Sequence, residues 1–357
     1  LESYEVTIDL PAGQRGVVPG RMVDEREQAD RYLARFSFSH PAEGIALIAG
    51  PYRVEERKVR TALGTAVRLR TYFHSSIREL APGYLDSILG YLNRFEQQIG
   101  HYPYSEFSVV SSPTPTGLGL PTLTYLGIDV LRLPFIRATS LGHEVLHNWW
   151  GNGVYPDYER GNWSEGLTTF MADYAFREQQ GAAAATANRL TWLRDFASIP
   201  PGTDLPLTRF SSRTHGTSQI VGYHKAAMLF LMLRDTIGES AFDAGLRQFW
   251  RTQQFRIAGW PQLQRAFEGA SGRRLDDFFR QWLERGGAPD LRLADAKIEQ
   301  HGTSWQTTLT LTQNTPAYQL NVPLRLRTRS GETQPRLQAP LPGGGNADHR
   351  SRPAGRA

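Results

Sequence analysis

The amino-acid sequence predicts a multidomain α+β fold, with β structure near both ends of the chain and helices in its middle. The length of 357 residues suggests two or three domains. Apolar and polar residues alternate with the period of a strand in the first and last parts of the chain, whereas apolar residues recur at helical spacing between them. We therefore expect a β-rich N-terminal part, a mixed α/β and then helical central part, and the start of a further β domain.

The N-terminal part shows the alternation in two places, over residues 4–10 and 31–38. The apolar run 44–50 ends in glycine and precedes Pro51, which predicts a short buried strand. From about Pro82 the apolar residues change to helical spacing, and this predicted helix ends near Gly100.

The central part begins with a predicted strand at residues 107–111 and a loop rich in Pro, Thr and Gly at 113–121. Helices are then predicted over Thr139–Trp150, Ser164–Gln180, Ser218–Ile237, Ala241–Gln254 and Leu275–Glu284. Alternation returns from Leu291, in residues 305–312 and 320–327. These changes of pattern predict segments 1–70, 71–288 and 289–342, followed by a glycine-rich tail, 343–357, that we expect to be disordered.

The composition, 40% hydrophobic and 21% charged, is typical of a soluble globular protein. The longest apolar run covers residues 226–233, far short of the roughly 20 residues that a membrane span needs. The net charge of +5 is scattered along the chain and no nucleic-acid motif accompanies it, so we expect no nucleic-acid partner. The chain begins without methionine and resembles a fragment that lacks its native N-terminus, and the sequence does not indicate a compartment.

The absence of cysteine excludes disulfides, thiolate metal sites and cysteine nucleophiles, so any metal must be held by nitrogen and oxygen ligands. One pattern suits such a site: His143-Glu144-x-x-His147, in a predicted helix. Residues four apart on a helix lie about 40° apart around its axis, so both imidazoles can reach one zinc ion. Glu144 lies beside the metal, where a general base would stand. The alternative is a pair of histidines on an ordinary amphipathic helix.

A third ligand is needed for a catalytic zinc site, and Glu165 is the candidate. It begins a second predicted helix after a glycine-containing loop, and an antiparallel helix pair would bring it beside both histidines. The alternative is a carboxylate that only favours the start of a helix. Thr168 and Thr169, one turn further on, could donate hydrogen bonds to a ligand residue or could simply be core or surface threonines.

These residues resemble the gluzincin metallopeptidases of the alanyl aminopeptidase (aminopeptidase N) family, in which His-Glu-x-x-His is followed after eighteen residues by a ligand glutamate. Residues 95–104 and 281–289 resemble the start and end of that family's catalytic domain. The resemblance implies a thermolysin-like α/β-then-helical catalytic domain for residues 71–288. It also implies the end of an N-terminal β domain for 1–70 and the start of a β-sandwich for 289–342.

The chain departs from the family pattern in three places. Seventeen residues, not eighteen, separate His147 from Glu165, and Ser164 replaces the usual asparagine before the glutamate. The family's Gly-Ala-Met-Glu-Asn segment is missing, and residues 116–125, which contain no acid, take its place. In the family that glutamate binds the free α-amine of the substrate. By analogy, Gly117, Leu118 and Gly119 would present backbone groups to an extended peptide.

The family's transition-state tyrosine stands in Tyr-x-Lys-Gly, which Tyr223-His-Lys225-Ala resembles. The resemblance implies that Tyr223 donates a hydrogen bond to the oxyanion.

Together the motifs predict a metallopeptidase with one zinc ion per chain, a peptide substrate and aminopeptidase-like activity. Two alternatives remain: a metallohydrolase of internal or N-blocked peptides, and a zinc-stabilised binding or scaffold protein. The sequence does not indicate an oligomeric state.

Overall fold

The computed structural model describes residues 2–351 apart from residues 43, 201, 215, 303, 316, 325, 329–330, 334–335 and 340–345. The chain forms two compact units, Leu1–Leu275 and Asp276–Ala357. The sequence predicts boundaries after residues 70 and 288, and these stay predictions. Residue 70 lies inside a strand whose sheet also contains strands of the central part.

The strands of the first unit are β1 (Glu2–Pro11), β2 (Arg15–Val17), β3 (Arg21–Gln28), β4 (Arg31–Ala42), β5 (Ile48–Gly50), β6 (Arg53–Arg60), β7 (Ala66–Phe73), β8 (Glu106–Ser112), β9 (Gly117–Leu120), β10 (Leu123–Gly127), β11 (Tyr155–Pro156) and β12 (Ile257–Ala258). β1, β4 and β3 form an antiparallel sheet in that order, and β2 pairs with β5. Alternate residues of β4, such as Tyr32 and Phe36, are buried, as the alternation predicts.

The larger sheet has the order β6-β7-β8-β10-β9. β7, β8 and β10 are parallel, and β6 and β9 are antiparallel strands at its two edges. Of the buried strand predicted over residues 44–50, only Ile48–Gly50 forms a strand, and only Gly50 in it is buried. This strand pairs with three residues of β2, so the preceding Ile45 and Leu47 remain exposed.

The helices of the first unit are α1 (Ala81–Gln98), α2 (Ile128–Leu131), α3 (Ser140–Leu146), α4 (Ser164–Thr168), α5 (Ala175–Gln179), α6 (Ala182–Ala197), α7 (Gly216–Gln219), α8 (Ala226–Ile237), α9 (Glu239–Gln253) and α10 (Trp260–Ser271). Short 3₁₀ turns cover Ser75–Leu80, Ile136–Ala138, Tyr158–Arg160 and Leu207–Arg209. None of the helices in the described part of the chain has the length and hydropathy of a membrane span.

Two of the predicted helices are interrupted by π-helical turns. Thr169–Tyr174 lies between α4 and α5, and Ile220–Lys225 lies between α7 and α8. Such turns carry an extra residue and occur frequently at functional sites. They change which side chains share a face with the residues before them.

The second unit contains α11 (Asp276–Glu284) and β13 (Leu291–His301), β14 (Ser304–Gln313), β15 (Leu320–Pro323), β16 (Leu326–Thr328), β17 (Gly331–Thr333), β18 (Arg336–Ala339) and β19 (Asn346–Ser351). β13, β14 and β19 form an antiparallel sheet, and β15–β18 and β16–β17 are antiparallel pairs. This arrangement agrees with a β-sandwich-like part. Six residues of the predicted tail form β19, because their backbone pairs with β14, and the rest of the tail lies outside the described residues.

Helices α4 and α8 of the central part pack closely against each other. A Cβ on Gly166 would overlap the Cβ of Ala226, so the two helices approach as closely as a glycine allows. Replacing Gly166 with alanine should therefore force the helices apart and lower the free energy of unfolding by about 1–3 kcal/mol. Urea denaturation measures this change.

The matched control is Gly90→Ala in α1, where an added Cβ meets nothing within 4 Å. This substitution should raise the free energy of unfolding by about 0.5–1 kcal/mol, because alanine loses less backbone freedom than glycine. If Gly166→Ala were as stable as Gly90→Ala, the close approach of α4 and α8 would be wrong.

Candidate metal centre

Helix α3 presents the two histidines of the sequence motif on one face. His143 lies within the helix, and His147 follows its last residue with helical backbone angles, φ −57° and ψ −18°. The amide of His147 donates to the carbonyl of His143 at 3.2 Å, which preserves the four-residue spacing. The two ring centroids are 4.8 Å apart. Both side chains are nearly buried, with exposed fractions of 13% and 12%.

Glu165, the second residue of α4, meets both imidazoles. Its Oε2 atom lies 3.4 Å from Nε2 of His143 and 3.4 Å from Nε2 of His147. One ligand atom from each of these residues lies within 4.8 Å of the others. The structure therefore brings together all three residues that the sequence nominated as metal ligands.

The other ring nitrogens are held from outside the cluster. Nδ1 of His143 lies 2.7 Å from Oδ2 of Asp173, and Nδ1 of His147 lies 2.8 Å from the carbonyl oxygen of Trp150. Because Nδ1 donates a hydrogen bond to each acceptor, the neutral imidazole carries its proton there and directs the lone pair of Nε2 at the shared centre. This is the tautomer that metal-ligating histidines need.

Asp173 was not identified from the sequence, and the π-helical turn explains why. On a regular α-helix the residue seven positions after Glu165 would return to its face, within about 20°. That residue is Ala172. The π-helical turn, Thr169–Tyr174, carries one extra residue, so the eighth residue, Asp173, takes that place instead. An acid eight positions after the ligand was the available signal.

Thr168 and Thr169 do not make the contact that the sequence suggested for them. Both hydroxyl oxygens are buried and have no hydrogen-bond partner within the described residues. Thr168 is fully buried and lies in α4, before the π-helical turn redirects the chain. The contact with a histidine is made by Asp173 instead.

The electrostatics of the cluster favour positive charge at its centre. Burial lowers the pKa of His143, but Asp173 and Glu165 outweigh burial and hold that pKa well above its ordinary value. Burial likewise opposes a raised pKa of His147, and Glu165 overcomes it. Burial favours protonated Glu165, yet the two histidines hold its pKa well below the usual range. Groups that attract a proton this strongly also attract a cation.

The donor set fits zinc. Two imidazole nitrogens and one carboxylate oxygen are the ligands of many catalytic zinc sites, which keep one further position open. Oε2 of Glu165 is buried and has no hydrogen-bond partner among the described residues, so it is an acceptor that a metal ion would satisfy. The outer hydrogen bonds on both histidines complete the arrangement expected of ligands.

Glu144 lies on the same helix as the histidines, with its carboxylate directed against strand β9. A Cβ on Gly119 would stand 2.5 Å from Oε2 of Glu144 and 3.4 Å from Cδ2 of His147. The backbone of β9 therefore passes directly over the metal cluster. Glycine at residue 119 leaves the Glu144 carboxylate in this position, and an added Cβ would displace it.

Strand β9 is the edge of its sheet and pairs only with β10 in the described part of the chain. Its turn is fixed to the metal helix by Asn148, whose Oδ1 accepts the amide hydrogen of Thr122 at 2.9 Å. Leu118 of this strand is 51% exposed. Gly117, Leu118 and Gly119 thus form an open edge beside the cluster, where an extended peptide could add as a further strand.

Tyr223 lies in the second π-helical turn, Ile220–Lys225, and reaches the cluster from the opposite helix. Its ring is parallel to that of His143, with an interplanar angle of 7° and centroids 6.3 Å apart. Phe210 packs edge-on against its other side, with centroids 6.1 Å apart. Burial and the charge of Glu165 raise the pKa of Tyr223, so its hydroxyl stays protonated and can donate a hydrogen bond.

Comparison with known proteins identifies a matching family and several relatives. Residues 137–282 match the model described as the Peptidase family M1 domain. Aminopeptidase N of Escherichia coli (strain K12) is 24% identical over 302 residues, which is 78% of this chain and 34% of that protein. Aminopeptidase N of Caulobacter vibrioides is 27% identical over 291 residues, 74% of this chain and 33% of that protein. The chain thus spans about a third of the length of these curated relatives.

Solved structures agree in fold. The M1 zinc metallopeptidase from Deinococcus radiodurans has a TM-score of 0.61 at 21% identity, covering 79% of this chain and 64% of that one. Legionella pneumophila aminopeptidase A in complex with aspartic acid has a TM-score of 0.74 at 17% identity, covering 98% of this chain and 42% of that one. The resemblance to zinc metallopeptidases of the aminopeptidase N type, predicted from the sequence, is confirmed by these matches.

The contact between Asp173 and His143 should strengthen metal binding. Removing it in Asp173→Ala frees the imidazole to rotate and to change tautomer, so zinc affinity should fall about 10- to 100-fold. Competition with a fluorescent zinc chelator measures this affinity. Thr168→Val is the matched comparison, because its hydroxyl touches no ligand, and its zinc affinity should equal that of the parent. Equal losses in both variants would contradict the role of Asp173.

Proposed function

We propose that this chain, in which residues 137–282 match the peptidase family M1 domain, hydrolyses peptide bonds at a zinc centre held by His143, His147 and Glu165. The observation that carries the proposal is the convergence of these three ligand atoms within 4.8 Å, with Glu144 adjacent to them on α3. A metal cluster alone would hold an ion without catalysing a reaction. A zinc hydrolase needs both the metal ligands and a general base beside them, and Glu144 supplies the base.

Zinc at this centre would polarise the scissile carbonyl and lower the pKa of a water molecule. The three ligand residues bind and orient the ion, and Asp173 and the Trp150 carbonyl keep the imidazoles in place. Since their Nδ1 positions are already occupied, the histidines offer only Nε2 to the ion. One zinc ion per chain is the stoichiometry implied by the one such cluster found among the described residues.

Glu144 serves as the general base. Its Oε2 atom lies beside β9, between the metal cluster and the edge where the peptide would bind. The carboxylate accepts one proton from the attacking water and later delivers it to the amine nitrogen of the departing peptide. Since Glu144 takes up and releases one proton in each cycle, it returns to its starting state.

Tyr223 donates its phenolic proton in a hydrogen bond to the oxygen of the scissile carbonyl as negative charge develops there. The parallel packing on His143 and the edge of Phe210 hold the ring without rotational freedom. The raised pKa of Tyr223 keeps the donor protonated through the neutral range. A fixed donor of this kind stabilises the transition state more than the bound substrate.

An aminopeptidase-like substrate is the first choice from the relatives, but strand β9 favours a wider range. The edge Gly117–Leu120 carries no acid. A free α-amine would therefore find no carboxylate on this strand. Internal or N-blocked peptides are the second candidate. A scaffold function is disfavoured because neither Glu144 nor Tyr223 is needed to hold a metal.

Metal analysis combined with peptide hydrolysis tests the proposal. The purified chain should contain about one zinc ion, and His143→Ala should lose it. Glu144→Gln should retain zinc yet lower kcat by roughly 10²–10⁴, the range for a lost general base. Tyr223→Phe keeps the ring and removes only the donor, so kcat should fall by about 10²–10³ with less effect on KM. A metal-free chain with full activity would refute the proposal.

A matched pair of peptides tests the substrate range. With no carboxylate partner on β9, a free α-amine gains little binding energy, so an N-acetylated peptide should be cleaved within about tenfold of its free-amine counterpart. The measurement is kcat/KM for the two peptides under the same conditions. A preference of a hundredfold or more for the free amine would show that another acid anchors it.

A further inference from the structure

The turn that joins β9 to β10 has a backbone conformation that its sequence does not favour. Leu120 pairs with Leu123, so the turn consists of two residues, Pro121 and Thr122. Thr122 has φ +63°, in the left-handed region that glycine adopts readily and that β-branched residues avoid. Among the described residues other than glycine, two more have positive φ, and neither of them is β-branched. Strain of this kind persists only where the surrounding contacts hold it.

Thr122 is held from three parts of the described chain. Its amide donates to Oδ1 of Asn148 at 2.9 Å, just after the metal helix α3. Its carbonyl oxygen accepts the amide hydrogen of Ser108 in β8 at 2.8 Å. Its Oγ1 atom accepts the amide hydrogen of Gly20, just before β3, at 2.7 Å. Because Thr122 is only 4% exposed, each of these bonds would leave a buried polar group unpaired if it were lost.

Asn148 is a rigid anchor for this turn. It is fully buried and directly follows the ligand His147 in the chain. Its Nδ2 atom donates to the carbonyl oxygen of Val145 at 3.1 Å, so its Oδ1 atom is the end that faces the turn. The hydroxyl of Tyr102 donates to the same Oδ1 atom at 3.3 Å. The amide of Thr122 is therefore fixed relative to the metal ligands.

The bond to Gly20 is the contact that depends on the side chain of Thr122. Gly20 has φ +122°, and a Cβ there would stand 2.7 Å from the carbonyl oxygen of Ser37, so its own backbone is confined against β4. The Thr122 hydroxyl thus joins the turn to the N-terminal sheet. A glycine at residue 122 would relieve the strain, but it could not make this bond.

We propose that Thr122 is a positioning residue for the reaction: its hydroxyl fixes the edge strand β9 over Glu144 and so sets where the peptide backbone lies relative to the general base. The inference rests on the proposed peptidase function. Gly119, three residues before Thr122, is the point of β9 where an added Cβ would stand 2.5 Å from Oε2 of Glu144. A turn of two residues has no slack, so a shift at Thr122 displaces the strand. A misplacement of about 1 Å can lower the rate of a reaction about 10²-fold.

Three variants of Thr122 separate positioning from stability. Thr122→Ala removes the hydroxyl and keeps the strained φ, whereas Thr122→Gly removes both. The urea midpoint of Thr122→Gly should therefore lie above that of Thr122→Ala. Both variants lack the bond to Gly20, so kcat/KM should fall in both, by about 10- to 100-fold. Thr122→Ser retains the hydroxyl and should restore kcat/KM to within about threefold of the parent.

The measurements use the full chain loaded with zinc and the peptide of the matched pair that the parent cleaves faster. Zinc affinity, measured by chelator competition, should stay within about twofold in every variant, because none of them touches a ligand or its hydrogen bonds. Ala29→Gly is the matched control. Ala29 has φ +53° in the exposed turn between β3 and β4, so this substitution relieves the same kind of strain and should leave kcat/KM unchanged.

Two results would overturn the inference. The first is that Thr122→Ala and Thr122→Gly hydrolyse the peptide as the parent does. The second is that kcat/KM follows the urea midpoint, so that Thr122→Gly is active and Thr122→Ala is not, which is the behaviour of a purely structural residue. A loss in Thr122→Ser as large as that in Thr122→Ala would also contradict the role of the hydroxyl.

Peptide binding separates the inference from the proposed function. On the Glu144→Gln background, Thr122→Gly should weaken the dissociation constant of the same peptide, labelled for fluorescence anisotropy, about three- to tenfold. Hydrolysis and binding that do not respond to Thr122→Gly would overturn the inference alone. Binding that Thr122→Gly weakens and Thr122→Ser restores, without any hydrolysis by the parent, would support the positioning of β9 and overturn the peptidase. If no peptide binds or is cleaved, both fail.

Discussion

The approach of one carboxylate oxygen to two imidazole nitrogens sets the requirements for the rest of the central region. Oε2 of Glu165 lies 3.4 Å from Nε2 of each histidine, and all three side chains are largely buried. The helices α3 and α4 that carry them must therefore be held at a fixed distance from each other. Close packing at Gly166 and Ala226 fixes α4 against α8, which follows the tyrosine turn. Buried polar groups this close are costly unless they share a cation. The two imidazoles keep their orientation by donating hydrogen bonds to Asp173 and to the Trp150 carbonyl.

Two π-helical turns adapt regular helices to this centre. One turn brings Asp173 behind His143, and the other presents Tyr223 over the same imidazole. Each inserted residue costs some regular hydrogen bonding, and packing on both sides of the turns compensates for it. The loss of helical regularity falls at the two positions where side chains must meet residues of another helix.

Strand β9 imposes the complementary constraint on the substrate side. Its backbone passes so close to α3 that a Cβ at residue 119 would displace the Glu144 carboxylate, and its edge lies beside Glu144. Asn148, the residue after the second histidine, holds the β9–β10 turn in place. Residues 144–148, at and just after the end of α3, therefore position both the general base and the strand edge where the peptide would bind.

Some features of this protein follow from the sequence alone. The four-residue spacing of His143 and His147 predicts a shared face, because backbone hydrogen bonds set the period of a helix wherever it forms. The absence of cysteine limits any metal site to nitrogen and oxygen ligands. The motif with Glu165 and Tyr223 predicts the family resemblance, and the alternation in β4 predicts its buried face. These are local properties, and short stretches of residues determine them.

Tertiary structure decided the rest. The roles of Asp173, Asn148 and Gly119 depend on contacts between segments far apart in sequence, and no local pattern distinguishes them from ordinary helix and loop residues. Asp173 reaches His143 because a π-helical turn adds a residue after Thr168, and helical periodicity does not reveal where such a turn forms. Strand pairing between β7 and β8 joins segments on both sides of residue 70, and this pairing is likewise a long-range choice. A helix period is local, whereas the pairing of strands and the packing of helices require the whole fold.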